Sequence, residues 1–178
     1  KYLFLEGYLV TSDSAFEACL EASEIAKKSD TKIVISLSAE GIVNAFRDRM
    51  NFLIGLGCNI LFCNKNEACA FSQQDDVDRA EIFLRDFSSQ NLITLGPKGS
   101  LIWDGSKKET IKGHEVKAID TNGAGDIFAG SVLHKISKGY DLKSAAMFGC
   151  YAASKQVQKF GPRLTDLEYK KINKEFSQ

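Results

Sequence analysis

The sequence predicts an α/β fold with a mostly parallel sheet that helices cover on both faces. The main observation is that short apolar runs alternate with amphipathic helical patterns along the chain. The chain has 178 residues, of which 44% are hydrophobic and 26% charged, as expected for one globular domain spanning 1–178. Neither a low-complexity segment nor a linker divides it. We therefore expect a single three-layer unit.

The individual elements follow from the apolar periodicity. The runs that predict strands are 2–5, 32–37, 60–63, 92–95, 100–104 and 116–119. The patterns that predict helices are 14–28, 41–54, 77–87, 124–138, 142–159 and 166–176. Ser12 or Asp13 is expected to cap the first helix and Asp141 the fifth. Gly139 is expected to end the fourth helix, because glycine accepts a left-handed backbone.

Charge and cysteine usage exclude several classes of protein. Lys plus Arg is 23 and Asp plus Glu is 23, so no nucleic-acid or anionic-membrane partner is indicated. The longest apolar run, 51–62, contains glycines and is too short to span a bilayer. Five cysteines without a CxxC pair, and two histidines, argue against a disulfide framework or a zinc site. A cytoplasmic location is expected.

The start of the chain carries no signal-peptide pattern, because a strand-like run begins at Lys1 without a basic leader or cleavage site. No initiating methionine is present. We expect the chain to be part of a longer protein.

The segment that points to chemistry is Asp-Thr-Asn-Gly-Ala-Gly-Asp at 120–126. It joins the predicted strand that ends at Ile119 to the predicted helix at 124–138. The first backbone N–H groups of a helix lack internal partners, and the helix dipole adds positive charge there, so such a turn can bind phosphate. Gly123 and Gly125 would let phosphate oxygens approach the backbone. An acid in the first turn, Asp126, suits a group that accepts a proton from an attacking hydroxyl.

A purely structural interpretation of this segment is a tight turn followed by a helix with an acidic first turn, because short glycine motifs occur often by chance. DTNGAGD followed by Phe-Ala-Gly resembles the signature of the ribokinase/adenosine kinase (PfkB-type) family. Further segments resemble the adenosine kinase branch in the same order along the chain: 36–39, 59–68 and 149–154. The resemblance covers nearly the whole chain and corresponds to the C-terminal half of a ribokinase-like fold, without the N-terminal half and its lid.

The resemblance implies roles for several residues. Asp126 would be the catalytic base, and Gly123, Ala124 and Gly125 would form an anion hole for the γ-phosphoryl group of ATP. Asn64 and Glu67 match the family's N-x-x-E motif, which helps to hold Mg²⁺, through water, and phosphate. From the residues alone, Asn64 and Glu67 are equally well explained as a capping box.

The resemblance also implies a nucleotide slot. Thr94, Gly96 and Gly99 match the family's T-x-G-x-x-G turn on the nucleotide side, although a simple β-turn is the alternative. A Walker A loop and a dinucleotide fingerprint are absent. The resemblance places the adenine slot between the helix 142–159 and the region 96–118, with Ala153 and Gln156 as candidates.

Many family members bind a monovalent cation, such as K⁺, near the anion hole. The plausible ligand positions share this part of the sequence: Asp120, Asn122, Gly161 and Thr165, with Gln156 and Lys159 nearby.

The acceptor is the least defined part of the expected function, because in relatives the N-terminal half holds it. The resemblance implies transfer to a hydroxymethyl group of a nucleoside or sugar, with adenosine first and a ribose- or fructose-type sugar second. Tyr8 and Leu9 lie where adenosine kinases place aromatic residues, whereas Glu40-Gly41 replaces a Pro-Phe pair. The chain alone is expected to be inactive, and a homodimer is a further expectation. A non-catalytic nucleotide-binding module remains the alternative from another class.

Overall fold

The computed structural model describes residues 1–176 and contains six strands and eight α-helices in that range. The strands are β1 (Tyr2–Glu6), β2 (Lys32–Ser36), β3 (Cys58–Asn64), β4 (Ser88–Thr94), β5 (Gly99–Trp103) and β6 (Lys108–Lys112). The helices are α1 (Asp13–Lys28), α2 (Glu40–Ala45), α3 (Arg47–Gly55), α4 (Lys65–Ser72), α5 (Val77–Leu84), α6 (Ala124–Ser137), α7 (Leu142–Gln156) and α8 (Asp166–Phe176).

The strands lie in one sheet in the order β1-β2-β3-β4-β5-β6, and the pairs β1–β2 and β2–β3 are parallel. The architecture is a three-layer α/β fold with a mostly parallel sheet, which confirms the fold class that the sequence predicts. Parallel strands need helical crossovers, and α1 and the α2–α3 pair provide them here.

The chain divides into two compact units. The first comprises Lys1–Ile93 and Trp103–Lys107. Its core is built on β2 and β3, where Ile33, Val34, Ile35, Ile60 and Leu61 are almost fully buried. Such continuous burial is typical of parallel strands with both faces covered.

The second unit comprises Thr94–Ile102 and the chain from Lys108 onward. Helices α6 and α7 pack tightly in it, because Gly149 of α7 has no side chain. A Cβ there would lie 2.8 Å from side-chain atoms of both Phe128 and Val132. Phe148 and Ile172 form a second cluster between α7 and α8. This unit holds the candidate site described below.

Several predicted elements need correction. The segment 116–119 is not a strand: the Ile119 N–H donates to the Val157 carbonyl at 2.7 Å instead of joining a ladder. The last strand is β6, and the apolar pattern does not predict it because Ile111 is its only buried apolar residue. The predicted helix 41–54 is two helices separated at Phe46 (φ −125°). Helix α4 was not predicted.

The predicted helix ends are largely confirmed. The Ser12 side chain accepts from the Ala15 N–H at 3.3 Å, and the Asp141 side chain accepts from the Ser144 N–H at 2.7 Å. Gly139 follows α6 with φ 88°. Within residues 1–176, no helix combines the length and the apolar character that a bilayer crossing requires.

Candidate functional site

A pocket of about 300 Å³ lies entirely within the second unit. Its volume is at the lower end of the range for small-molecule sites. The lining residues are mostly small or apolar: Thr94, Gly96, Pro97, Gly99, Gly113, His114, Val116, Ala118, Thr121, Ala124, Gly125, Phe128, Cys150, Ala153, Ser154 and Val157. The structure thus brings together six residues that the sequence assigns to the site: Thr94, Gly96, Gly99, Ala124, Gly125 and Ala153.

One wall of the pocket is the turn between β4 and β5. Gly99 has φ 101°, and a Cβ there would lie 2.0 Å from the Ile111 carbonyl oxygen and 2.4 Å from the Gly113 nitrogen. Only glycine combines this backbone with such a close approach of two chain segments. The predicted turn therefore has a structural reason for Gly99, and its exposed backbone faces the pocket.

The opposite wall comes from the C-terminal half of α7. Cys150, Ala153, Ser154 and Val157 line it. The Cys150 thiol lies 3.5 Å from the Ser100 hydroxyl, and burial raises its pKa, although this hydrogen bond lowers it. The thiol is therefore a neutral, weakly polar part of the wall. A slot with apolar sides suits a flat aromatic group.

The floor of the pocket reaches the N-terminus of α6. Gly123, the N-cap residue, has φ 75° and supplies no side-chain cap. A Cβ there would lie 2.3 Å from the Pro162 carbonyl oxygen, so the position is restricted to glycine. The Ala124 N–H donates to the Thr121 carbonyl at 3.2 Å and the Ile127 N–H to the Gly123 carbonyl at 2.9 Å.

Two amides at this helix start remain available. Within residues 1–176, the Gly125 and Asp126 N–H groups make no backbone or side-chain hydrogen bond. A Cβ on Gly125 would meet nothing within 4 Å, so open space lies over these amides. Unpaired N–H groups and the positive end of the helix dipole favour an anion there. Ala124 contributes less than expected, because its amide is already used.

Asp126 is exposed in the first turn of α6, directly after Gly125. Its carboxylate is not buried in a packed core, so it remains accessible to a substrate hydroxyl. The role of Asp126 as the base stays a prediction.

Gln156, which the sequence suggests for the adenine slot, is not among the residues that line this pocket. It is fully buried, and its Nε2 donates to the carbonyl oxygens of Asn122 at 2.8 Å and Gly161 at 2.7 Å. Asp120 joins the same two segments: Oδ1 accepts from the Asn122 N–H at 2.9 Å and Oδ2 from the Gly161 N–H at 3.0 Å. These hydrogen bonds lower the pKa of Asp120.

Thr165 makes its contacts with a single carboxylate. Its N–H and Oγ1 both donate to Glu168 Oε2 at 2.7 Å, and Lys159 Nζ lies 2.5 Å from the same oxygen. These contacts lower the pKa of Glu168 to about 2. The loop from 159 to 165 is thus fixed from both ends, by Gln156 with Asp120 and by Glu168.

Asn64 and Glu67 belong to the first unit and form a complete capping box at the start of α4. Asn64 Oδ1 accepts from the Glu67 N–H, and Glu67 Oε2 accepts from the Asn64 N–H, both at 2.9 Å. Asn64 Nδ2 also donates to Glu67 Oε1 at 2.6 Å. Burial raises the pKa of Glu67, an effect that the Asn64 backbone hydrogen bond reduces. The magnesium role of these residues stays a prediction.

Several pocket residues lie in the region 96–118 that the resemblance assigns to the slot, but the sequence did not single them out. His114, Val116 and Ala118 line the pocket from the irregular segment after β6. Because 116–119 was assigned to a strand, its side chains were expected in a sheet. Val116 and Ile119 are apolar but exposed, and the sequence pattern carries no signal that distinguishes them from buried strand residues.

The fold and the pocket together define a class: an α/β protein with an apolar slot that ends at an open helix N-terminus. The family follows from the sequence, which matches the pfkB family carbohydrate kinases over residues 1–168. The chain belongs to this family, as the motif at 120–126 indicated.

The relatives that the chain matches include both adenosine kinases and ribokinases. Adenosine kinase from Saccharomyces cerevisiae is 25% identical over 91% of this chain and 51% of its own length. Ribokinase from Staphylococcus aureus is 32% identical over 81% of this chain and 47% of its own. The solved adenosine kinase from Sinorhizobium meliloti aligns with a TM-score of 0.91 and 29% identity, over 98% of this chain and 54% of that one. The chain spans about half the length of these relatives.

Proposed function

We propose that this chain is the nucleotide-binding and catalytic half of an ATP-dependent kinase that phosphorylates a hydroxymethyl group of a nucleoside or sugar. The observation that carries the proposal is the open start of α6. Two free amides and an exposed carboxylate lie there, at the end of an apolar slot in the same unit. ATP would place its base in the slot and its phosphates toward Gly125.

The division of labour at the site follows from its chemistry. The Gly125 and Asp126 amides, with a smaller contribution from Ala124 and Gly123, would stabilise charge on the transferred phosphoryl group. Asp126 would accept the proton of the acceptor hydroxyl as the new bond to phosphorus forms. Such transfer has a loose transition state, so positioning matters more than base strength.

Mg²⁺ would supply charge neutralisation between the phosphates when bound. Glu67 and Asn64 are the candidates to hold it through water, which suits a hard cation with oxygen ligands. The Glu67 carboxylate already accepts two hydrogen bonds from Asn64, so any contact to hydrated Mg²⁺ would share its oxygens with Asn64.

Adenosine is the first candidate acceptor, and a ribose- or fructose-type sugar is the second. The relatives at similar identity include an adenosine kinase and a ribokinase, so both acceptors have support. Acceptor selection would depend on parts of the intact protein outside this chain, and 1–178 alone would not turn over. A cytoplasmic enzyme, monomeric or homodimeric, is in keeping with this proposal.

The direct test is side-by-side turnover of adenosine, ribose and fructose by the intact protein with MgATP, repeated with Asp126→Asn. The variant should lose turnover by about 10²–10⁴-fold, the range for a general base, while it keeps its affinity for ATP. Unchanged turnover would remove Asp126 from the mechanism. Nucleotide binding without turnover of any acceptor by the wild type would favour the non-catalytic binding module.

A further inference from the structure

Gln156 makes a contact that the proposed reaction does not yet use. It lies in the last turn of α7, is fully buried, and its Nε2 bridges the carbonyl oxygens of Asn122 and Gly161. Asn122 immediately precedes the Gly123 N-cap of α6, and Gly161 precedes Pro162, against which Gly123 packs. The amide therefore joins the two segments that fix the phosphate side of the pocket.

The orientation of this amide follows from its partners. Carbonyl oxygens only accept hydrogen bonds, and the NH₂ group of glutamine carries two donors, one for each oxygen. The reversed orientation would place Oε1 against two other acceptors. In the observed one Oε1 is the atom left buried without a partner. The Gln156 side chain thus leaves its own oxygen unpaired, while its NH₂ group holds the two carbonyl groups together.

A monovalent cation does not fit between the carbonyl oxygens of Asn122 and Gly161, two of the positions that the family resemblance suggests for it. The Asn122 and Gly161 carbonyls face the Gln156 amide, and both Asp120 oxygens accept backbone N–H groups. Thr165 Oγ1 donates to Glu168. An NH₂ group and a cation cannot both occupy the space between the two carbonyl oxygens, and the N–H hydrogens of the neutral amide already present partial positive charge to both oxygens.

We propose that Gln156 is a positioning residue that takes the structural place of a monovalent cation, so that the site works without K⁺. Its amide holds the Asn122 carbonyl and thereby the peptide planes that aim the Gly125 and Asp126 amides at phosphate. This inference rests on the proposed function for its kinetic consequence, but the loop linkage itself can be measured without turnover.

The test compares the intact wild-type protein with Gln156→Leu, which keeps similar volume and removes both donors. Gln158→Leu is the matched control, because Gln158 donates to one carbonyl, Ser154 at 2.8 Å, and joins no second loop. Each protein is assayed for ATP affinity and turnover in KCl, NH₄Cl or N-methylglucamine chloride at equal ionic strength. Hydrogen exchange of peptides covering 119–126 and 157–165 is measured in the same buffers.

The wild type and Gln158→Leu should differ less than twofold among the three salts. Gln156→Leu should exchange faster in both peptides and bind ATP at least tenfold more weakly in N-methylglucamine chloride. In a second variant, Gln156→Ala, the shorter side chain leaves the space between the two carbonyl oxygens open, so K⁺ or NH₄⁺ should restore part of the loss of ATP affinity. Such rescue would not be expected of a purely structural defect.

Two results would overturn the proposal. One is activation of the wild type by K⁺ of fivefold or more, a measurement that needs no variant and holds even if Gln156→Leu does not fold. The other is hydrogen exchange in Gln156→Leu that matches Gln158→Leu. If the protein phosphorylates no acceptor, the proposed function fails, but the exchange and ATP-affinity measurements still decide the role of Gln156.

Discussion

Helices α4 and α6 each begin with an acidic residue at the third position, yet their N-termini differ in one decisive respect. At α4, the Asn64 side chain accepts from the Glu67 amide and the Glu67 side chain accepts from the Asn64 amide, a complete capping box. At α6, Gly123 has no side chain to offer, and the Gly125 and Asp126 amides stay open. The same local architecture has a side-chain cap in one place and none in the other.

What a sequence motif can do therefore depends on the hydrogen bonds that its side chains already make within the protein. Glu67 is buried and folded back on Asn64, whereas Asp126 is exposed. A carboxylate that caps a helix contributes mainly to stability, whereas a carboxylate without such a partner can take part in a reaction. The following experiments test whether this distinction holds.

The largest effect is expected from closing the space over the open amides. Gly125→Ala should reduce turnover of the intact protein by about 10²–10³-fold, comparable to loss of an oxyanion-hole donor. A Cβ meets nothing in the unliganded protein, so stability should be kept or rise by up to about 1 kcal/mol, as for glycine in a helix. Turnover and urea denaturation are the measurements.

Gly130→Ala is the matched control for this change. Gly130 lies in the same helix, also with nothing within 4 Å of an added Cβ, but it is outside the pocket. It should show the stability gain without the kinetic loss. Equal turnover in both variants would mean that no ligand approaches Gly125.

A smaller effect is expected at the closed helix start. Asn64→Ala should cost about 1 kcal/mol of the free energy of unfolding, the usual value of an N-cap. Asn66→Ala, two residues further along the chain, should change the free energy of unfolding by no more than about 0.5 kcal/mol. Asn64→Ser should preserve the cap. If Asn64→Ala instead leaves stability intact and raises the Mg²⁺ concentration needed for turnover, the metal role outweighs the capping role.

The smallest effect concerns pH. The contacts of Lys159 and Thr165 lower the pKa of Glu168 from its ordinary 4.5 to about 2. A depressed pKa means that the folded state favours the ionised form, so the stabilisation is present above pH 4.5 and is lost as the pH falls toward 2. The urea midpoint of the wild type should therefore fall more between pH 6 and pH 3 than that of Glu168→Gln.

Asp166→Asn serves as the control for this pH experiment, because it removes another acid from the start of α8 without touching the Lys159 and Thr165 contacts. It should follow the wild-type pH dependence. A Glu168→Gln variant that also follows the wild type would show that these contacts add no pH-dependent stability.

The sequence predicted the fold class and much of the pocket, because both rest on local signals. Alternating apolar runs define the layers, and glycines at 96, 99, 123 and 125 mark backbone positions that a side chain would obstruct or strain, or that a ligand would approach. The match to the pfkB family extends these local signals over most of the chain.

The features that the sequence could not predict depend on contacts between residues that lie far apart in the chain. The irregular path of 113–123 is set by hydrogen bonds from residues 119 and 120 to the Val157 carbonyl. The role of Gln156 depends on residues 34 positions before it and five after it. Such contacts leave no periodic trace in the sequence, and so neither the irregular path of the pocket wall at His114 nor the hydrogen bonds of Gln156 were predicted.

The central claim is that the open amides of α6 bind the phosphates of the nucleotide. It is tested most directly by amide NMR of the intact protein titrated with ATP in the presence of EDTA, with Gly125, Asp126, Asn66 and Glu67 assigned. The account predicts large shifts at Gly125 and Asp126 and none at the capped start of α4. Unmoved Gly125 and Asp126 amides at saturating ATP would contradict it.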